Sequence, residues 1–153
     1  MSYTTCHKSP RNTVRLRDSV NEPSSRVLFV GSNPSRSSPS RLVPFVGTKS
    51  HTVLSRWLDE CCGGMEVWAV NVHEEPGAVR ARHIHQGAGK LASLVQMLWI
   101  DKVVALGRIA QEACWEAGIE FYPMPHPSGL NRVLNNKQGT VVTVRRMREY
   151  LER

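Results

Sequence analysis

The chain has 153 residues, 41% of them hydrophobic, which suits one domain large enough to bury a core of its own. Lys and Arg outnumber Asp and Glu by 20 to 13, and the net charge of +7 favours polyanionic partners without specifying a fold. No apolar run approaches the ~20 residues of a membrane span. The four cysteines, Cys6, Cys61, Cys62 and Cys114, form no Cys-x-x-Cys pair, which argues against zinc, iron–sulfur and disulfide frameworks and for reduced thiols.

Residues 1–25 are polar and basic, with no apolar stretch of signal-peptide type, and are expected to form a flexible arm. The expected compartment is the cytoplasm, bacterial or that of a host cell if the chain is phage-encoded. From Arg26 the character changes. Val27-Leu28-Phe29-Val30 is an apolar run that stops at Gly31, as a buried strand would. A loop rich in Ser, Pro and Arg follows to Lys49. Val53, Leu54, Trp57 and Leu58 then recur at helical spacing, and Gly63-Gly64 ends that helix.

Val67-Trp68-Ala69-Val70 reads as a second strand running into Asn71, and residues 72–86 read as loop. A helix is expected from about Gly89 to Ile100, a third strand over Lys102 to Leu106, and a helix from Arg108 to Ala117. A fourth strand begins at Ile119 and ends by Met124. After a loop over 125–139, a last helix spans 140–152, with Val141, Val144, Met147 and Leu151 facing inward. This alternation predicts an α/β fold: a single-domain three-layer α/β/α arrangement around a mainly parallel four-stranded sheet over 26–153.

Ligands of such sheets sit beyond the carboxyl ends of the strands. Strand one ends in Gly31-Ser32-Asn33-Pro34-Ser35, strand two in Asn71-Val72-His73, and strand four in Pro125-His126-Pro127-Ser128-Gly129-Leu130-Asn131-Arg132. Each has a plainer reading. Gly, Asn and Pro punctuate strands everywhere, His126 between two prolines could be a loop histidine, and Phe45 and Leu130 could be small core contributions. Gly87-Ala88-Gly89-Lys90 lacks the spacing of a phosphate-binding loop. His83-x-His85 with His73 reads as a solvated basic loop before it reads as a metal site.

Two of these segments together resemble the uracil-DNA glycosylase superfamily. VLFVGSNPS resembles its first motif and MPHPSGLNR its second, and the likeness runs from about Arg26 to the C-terminus. Asn in the first motif with His in the second is similar to the single-strand-selective monofunctional branch. The Ser-Gly-Leu-x-Arg continuation is closer to the mismatch-specific branch. Val43-Pro44-Phe45, Asn71 and Val103-Val104-Ala105-Leu106-Gly107 match waypoints between the motifs.

The resemblance implies a monofunctional DNA glycosylase of base-excision repair that flips a pyrimidine out of the helix and hydrolyses its glycosidic bond. Asn33 would orient the water, and His126 would donate to a base carbonyl oxygen as negative charge builds there. Gly31, Ser32, Phe45 and Asn71 would hold the base. Ser128, Gly129, Leu130, Asn131 and Arg132 would engage DNA, Leu130 as the apolar wedge. The expected partner is DNA; no metal, cofactor or membrane is called for, and nothing demands more than a monomer. Ser35 stands where the family commonly has Gly, which is expected to tighten the backbone beside the base. No bulky Tyr follows the first motif to exclude a 5-substituent, so 5-modified pyrimidines such as 5-hydroxymethyluracil are expected substrates beside uracil. Two alternatives stay open: a weak or inactive relative that binds DNA or a modified base, and a hydrolase of free nucleotides or nucleosides.

Overall fold

The computed structural model describes residues 12–19, 25–36, 44–45, 48–127 and 137–153, with side chains at 137–139 left aside. Five strands form one sheet: β1 (Thr13–Arg17), β2 (Arg26–Gly31), β3 (Glu66–Asn71), β4 (Lys102–Leu106) and β5 (Tyr122–Met124). Four helices cover it: α1 (Lys49–Cys61), α2 (Ala81–Met97), α3 (Arg108–Glu116) and α4 (Lys137–Leu151). The strand order is β1-β3-β2-β4-β5, with β1 antiparallel to β3 and every other pairing parallel.

The sheet therefore has five strands where the sequence predicts four. The addition, β1, falls within the segment expected to be an arm. Its sequence, TVRLR, alternates: Val14 and Leu16 are buried and Arg15 and Arg17 are not. Arg15 lies over the Trp68 ring at 5.9 Å, and Arg17 pairs with Asp59 at 2.8 Å. Two apolar side chains in so short a run leave little periodicity amid basic neighbours. Pairing with β3 turns that weak pattern into an edge strand.

The three central strands are apolar on both faces because helices cover both. Val27, Phe29, Val67, Ala69, Val104 and Leu106 pack with α1 and α4, through Leu54, Trp57, Leu58, Met147 and Leu151. Leu28, Val30, Trp68, Val70, Val103 and Ala105 pack the other way, against Leu91, Leu94, Ala110 and Ala113 of α2 and α3. The chain leaves β2 toward the α1 face and leaves β3 and β4 toward the opposite one. Their connections part above the carboxyl end of β2, which opens a crevice there.

Three further boundaries differ from expectation. Helix α2 begins at Ala81, so residues 81–86 are helical rather than loop. Its start is closed by an uncommon cap, in which the Arg80 backbone N–H donates to His83 Nδ1 at 3.0 Å. Gly87 reads as a helix breaker but serves close packing: a Cβ there would lie 2.6 Å from Val72 Cγ1 and 2.7 Å from the Val72 carbonyl oxygen. Strand β5 is shorter than predicted, with Ile119 and Phe121 packing beside it rather than pairing. Val141 is 62% exposed rather than inward, because it lies on a groove between α1 and α4.

Candidate active site

Gly31 ends β2 and sends the chain into the crevice. It cannot carry a side chain as the neighbours stand: a Cβ would lie 2.5 Å from Phe45 Cζ and 2.6 Å from Asn71 Oδ1. Phe45 and Asn71 thus both close on one bare stretch of backbone. Phe45 itself holds a left-handed conformation, with φ of 68°, which a bulky residue adopts only where its surroundings enforce it. Part of that enforcement is Thr48, which donates from its backbone N–H (3.0 Å) and from its hydroxyl to the Phe45 carbonyl. The same hydroxyl accepts from the His51 N–H at 3.2 Å, capping α1.

Asn33 is anchored through its amide nitrogen. Nδ2 donates to the backbone carbonyls of Glu75 (2.9 Å) and Gly77 (2.8 Å), in the loop between β3 and α2. Carbonyls only accept, so the amide has one permitted orientation. Oδ1 accepts from the Ser32 hydroxyl at 2.8 Å, and an amide oxygen has a second lone pair. The net result is a fixed acceptor backed by two donor contacts.

Asn71, at the end of β3, is 3% exposed. It is met by Asn12, a residue to which the sequence reading gave no role. Asn12 is itself buried and left-handed, with φ of 65°. Its Nδ2 donates to the carbonyls of Asn71 and His73, both at 3.3 Å, and its Oδ1 accepts from Asn71 Nδ2 at 3.4 Å.

His126 follows β5. The Met124 carbonyl two residues before it accepts from the Gly107 N–H (2.8 Å) and from Gln111 Nε2 (3.3 Å), which fixes the end of the strand. Burial pushes the His126 imidazole below its ordinary range, so it is neutral at neutral pH. Its ring centroid lies 6.4 Å from that of Phe45, tilted by 41°.

These groups meet. Asn33, Pro34, Ser35, Phe45, Thr48, Ser50, Asn71 and His126 line one cavity of about 60 Å³, roughly two water volumes. Two larger hollows, of about 710 and 510 Å³, lie on the outside of α3 and between α1 and α4. Neither holds any of the polar residues from the strand ends, so size is a poor guide here and chemistry the better one.

Of the residues singled out from sequence, Asn33, Phe45, Asn71 and His126 share this cavity, while Gly31 and Ser32 support it from behind. Ser128, Gly129, Leu130, Asn131 and Arg132 lie outside the described residues. Thr48 and Asn12 were missed. A Thr immediately before a helical run is a recognisable cap signal, whereas nothing local marks Asn12.

The remaining chemistry-bearing residues take plainer places. Cys61, Cys62 and Cys114 are buried free thiols; burial pushes Cys61 up to about 11 and the other two up to about 12, which leaves them inert. His73 and His83 stack with centroids 4.0 Å apart, and His85 pairs with Glu116. Among the described residues no group of three His, Cys, Asp or Glu could hold a metal ion, and no helix is long and apolar enough to cross a membrane.

The described residues form an α/β protein with a crevice at the carboxyl edge of a mainly parallel sheet, lined by amides, an aromatic ring and a neutral imidazole. The family model of the uracil DNA glycosylase superfamily matches residues 18–148, most of the chain, and the chain belongs to that superfamily. No individual curated protein matches it.

Proposed function

We propose that this chain is a monofunctional DNA glycosylase that hydrolyses the N-glycosidic bond of uracil, or of a 5-modified pyrimidine such as 5-hydroxymethyluracil, in DNA. The observation that carries the reading is that Asn33 and His126, from opposite ends of the chain, line one cavity together with Phe45 and Asn71.

Cleavage leaves an electron-deficient sugar and an anionic base, so the site must stabilise negative charge on a carbonyl oxygen of the base. His126 donates an N–H to that oxygen; a neutral imidazole suffices, and its burial keeps it neutral. Asn33 Oδ1 accepts a hydrogen bond from the water and holds it beneath the sugar carbon, its amide prevented from turning by Glu75 and Gly77. Asn71 reads the polar edge of the ring, and Phe45 stacks on its face. Among the described residues lining the cavity none is a lysine, which fits base release without a Schiff base and without strand cutting. No bulky tyrosine follows the first motif to exclude a 5-substituent; the residue after Pro34 is Ser35, exposed on the cavity rim. The Ser128–Arg132 segment supplies the DNA contacts in this reading, with Leu130 filling the gap left by the extruded base.

The test is a base-release screen on oligonucleotides carrying uracil, 5-hydroxymethyluracil and other modified pyrimidines, read as alkali-labile sites. Release of uracil or a 5-modified base is expected, abolished in Asn33→Ala and His126→Ala while DNA binding survives. DNA binding without release by the unsubstituted protein would replace this reading with a modified-base binder. Release from mononucleosides alone, without a steep salt dependence, would replace it with a nucleoside hydrolase.

A further inference from the structure

We infer that Asn12 is a positioning residue for the base-reading amide. It reaches in from β1, outside residues 18–148 that match the superfamily, and sets which way round Asn71 presents its donor and acceptor. The inference rests on the glycosylase reading for its consequence, though not for its geometry.

The orientation passes along a chain of forced choices. Asn12 Nδ2 faces two backbone carbonyls, those of Asn71 and His73, which can only accept. That places Asn12 Oδ1 toward Asn71, where only an N–H is tolerated, and Asn71 Nδ2 fills that place. Asn71 Oδ1 is thereby turned the other way, toward the Gly31 backbone at the foot of the cavity. A free terminal amide can turn over and exchange its two ends; this one is held. An amide with one order of acceptor and donor matches the imide edge of uracil, with its N–H beside a carbonyl. The cytosine edge, with acceptor and donor reversed, suits the amide only after it has turned over. Asn12 also sits where another residue would serve poorly. Its φ of 65° is a conformation that Asn adopts more readily than most residues, and its near-complete burial excludes the water that could replace it.

The experiment uses the full chain, with the side-chain amide protons of Asn71 assigned by their loss in Asn71→Ala. In the unsubstituted protein these protons should exchange slowly with water. Asn12→Gly keeps the left-handed backbone and deletes the side chain; Asn12→Asp keeps the shape but has no donor for the two carbonyls. Both should speed Asn71 side-chain exchange by about tenfold or more while β3 backbone amides stay protected, and slow single-turnover uracil release by about tenfold or more at unchanged oligonucleotide affinity. Unchanged side-chain exchange in both variants would overturn the inference, as would a uniform loss of protection along β3, the mark of a merely structural role. Unaltered uracil release in both would overturn it too. If the unsubstituted protein releases no base, the glycosylase reading falls, and the exchange measurement alone still decides the place of Asn12.

Discussion

Replacing Gly31 with Ala adds a single methyl group at the most crowded point of the site. That methyl would sit 2.5 Å from Phe45 Cζ and 2.6 Å from Asn71 Oδ1, so both neighbours must retreat by about an ångström to reach ordinary contact near 3.5 Å. Neither retreats freely. Phe45 is 8% exposed and tied at its carbonyl by Thr48, and Asn71 is 3% exposed and tied to Asn12. Overpacking of this kind costs about 1–3 kcal/mol. Gly31 lies in a strand and outside the left-handed region, so alanine adds no backbone strain there. It instead recovers about 0.4–1 kcal/mol by restricting the unfolded chain. The net expectation is a loss of about 1–2 kcal/mol, roughly 0.5–1 M in the urea midpoint at an m-value of about 2 kcal/mol per M. Displacing both base-holding groups by an ångström should lower base release by about a hundredfold. Adding Phe45→Leu should restore part of the stability, because one of the two clashes disappears, and none of the base release. A Gly31→Ala protein with the parent midpoint and the parent release rate would refute the claim that Phe45 and Asn71 close on bare backbone.

Asn33→Asp should not improve on the amide: a carboxylate has no donor for the carbonyls of Glu75 and Gly77, so release should fall about as far as in Asn33→Ala, by ~10²–10³ in single-turnover rate. Burial holds the His126 pKa below its unfolded value of 6.5, so between the two pKa values the unfolded chain binds more protons than the folded one. Stability should therefore fall as pH drops through 6.5 and level off below the folded pKa; urea titrations should show a shallower fall for His126→Gln over that window. Thr48→Ala removes both the α1 cap and a contact to the Phe45 carbonyl; a loss of about 1 kcal/mol, roughly 2–4 °C in Tm, is expected by thermal melting, with a larger fractional loss of base release.

The central layers could be read from the sequence because their signals are local and redundant. Apolar runs of four residues stop at Gly31, Asn71 and Gly107, and the intervening helices carry an apolar stripe. Strand ends in a parallel sheet share one edge, so polar residues there can be grouped from sequence alone. Thr48 carries a local cap signal, whereas the less legible contributions act at a distance. Asn12 matters only because β1 pairs with β3 and carries it to Asn71, 59 positions away. The early start of α2 depends on a backbone-to-imidazole cap and on a glycine chosen for contact with Val72, neither of which a periodicity count detects. Val141 keeps helical phase with Val144 yet faces a groove, because apolar spacing marks a helix face and not what that face meets.

Among the described residues lining the cavity no side chain is ionised at neutral pH, although the chain carries a net charge of +7. This separation has a physical use. On the proposed reading, a fixed positive group beside the base would attract the anionic leaving group, but it would also attract the phosphates of any DNA segment. Neutral amides and a neutral imidazole avoid that conflict. They offer oriented dipoles whose effect grows only as charge develops on the base, and the two amides are held against rotation by partners outside the cavity: Glu75 and Gly77 for Asn33, Asn12 for Asn71. The basic charge elsewhere on the chain is then left to gather the polyanion, a task that tolerates mobility and screening. On the proposed reading, recognition of the ring tolerates neither, and its polar groups are placed by the carboxyl ends of β2, β3 and β5.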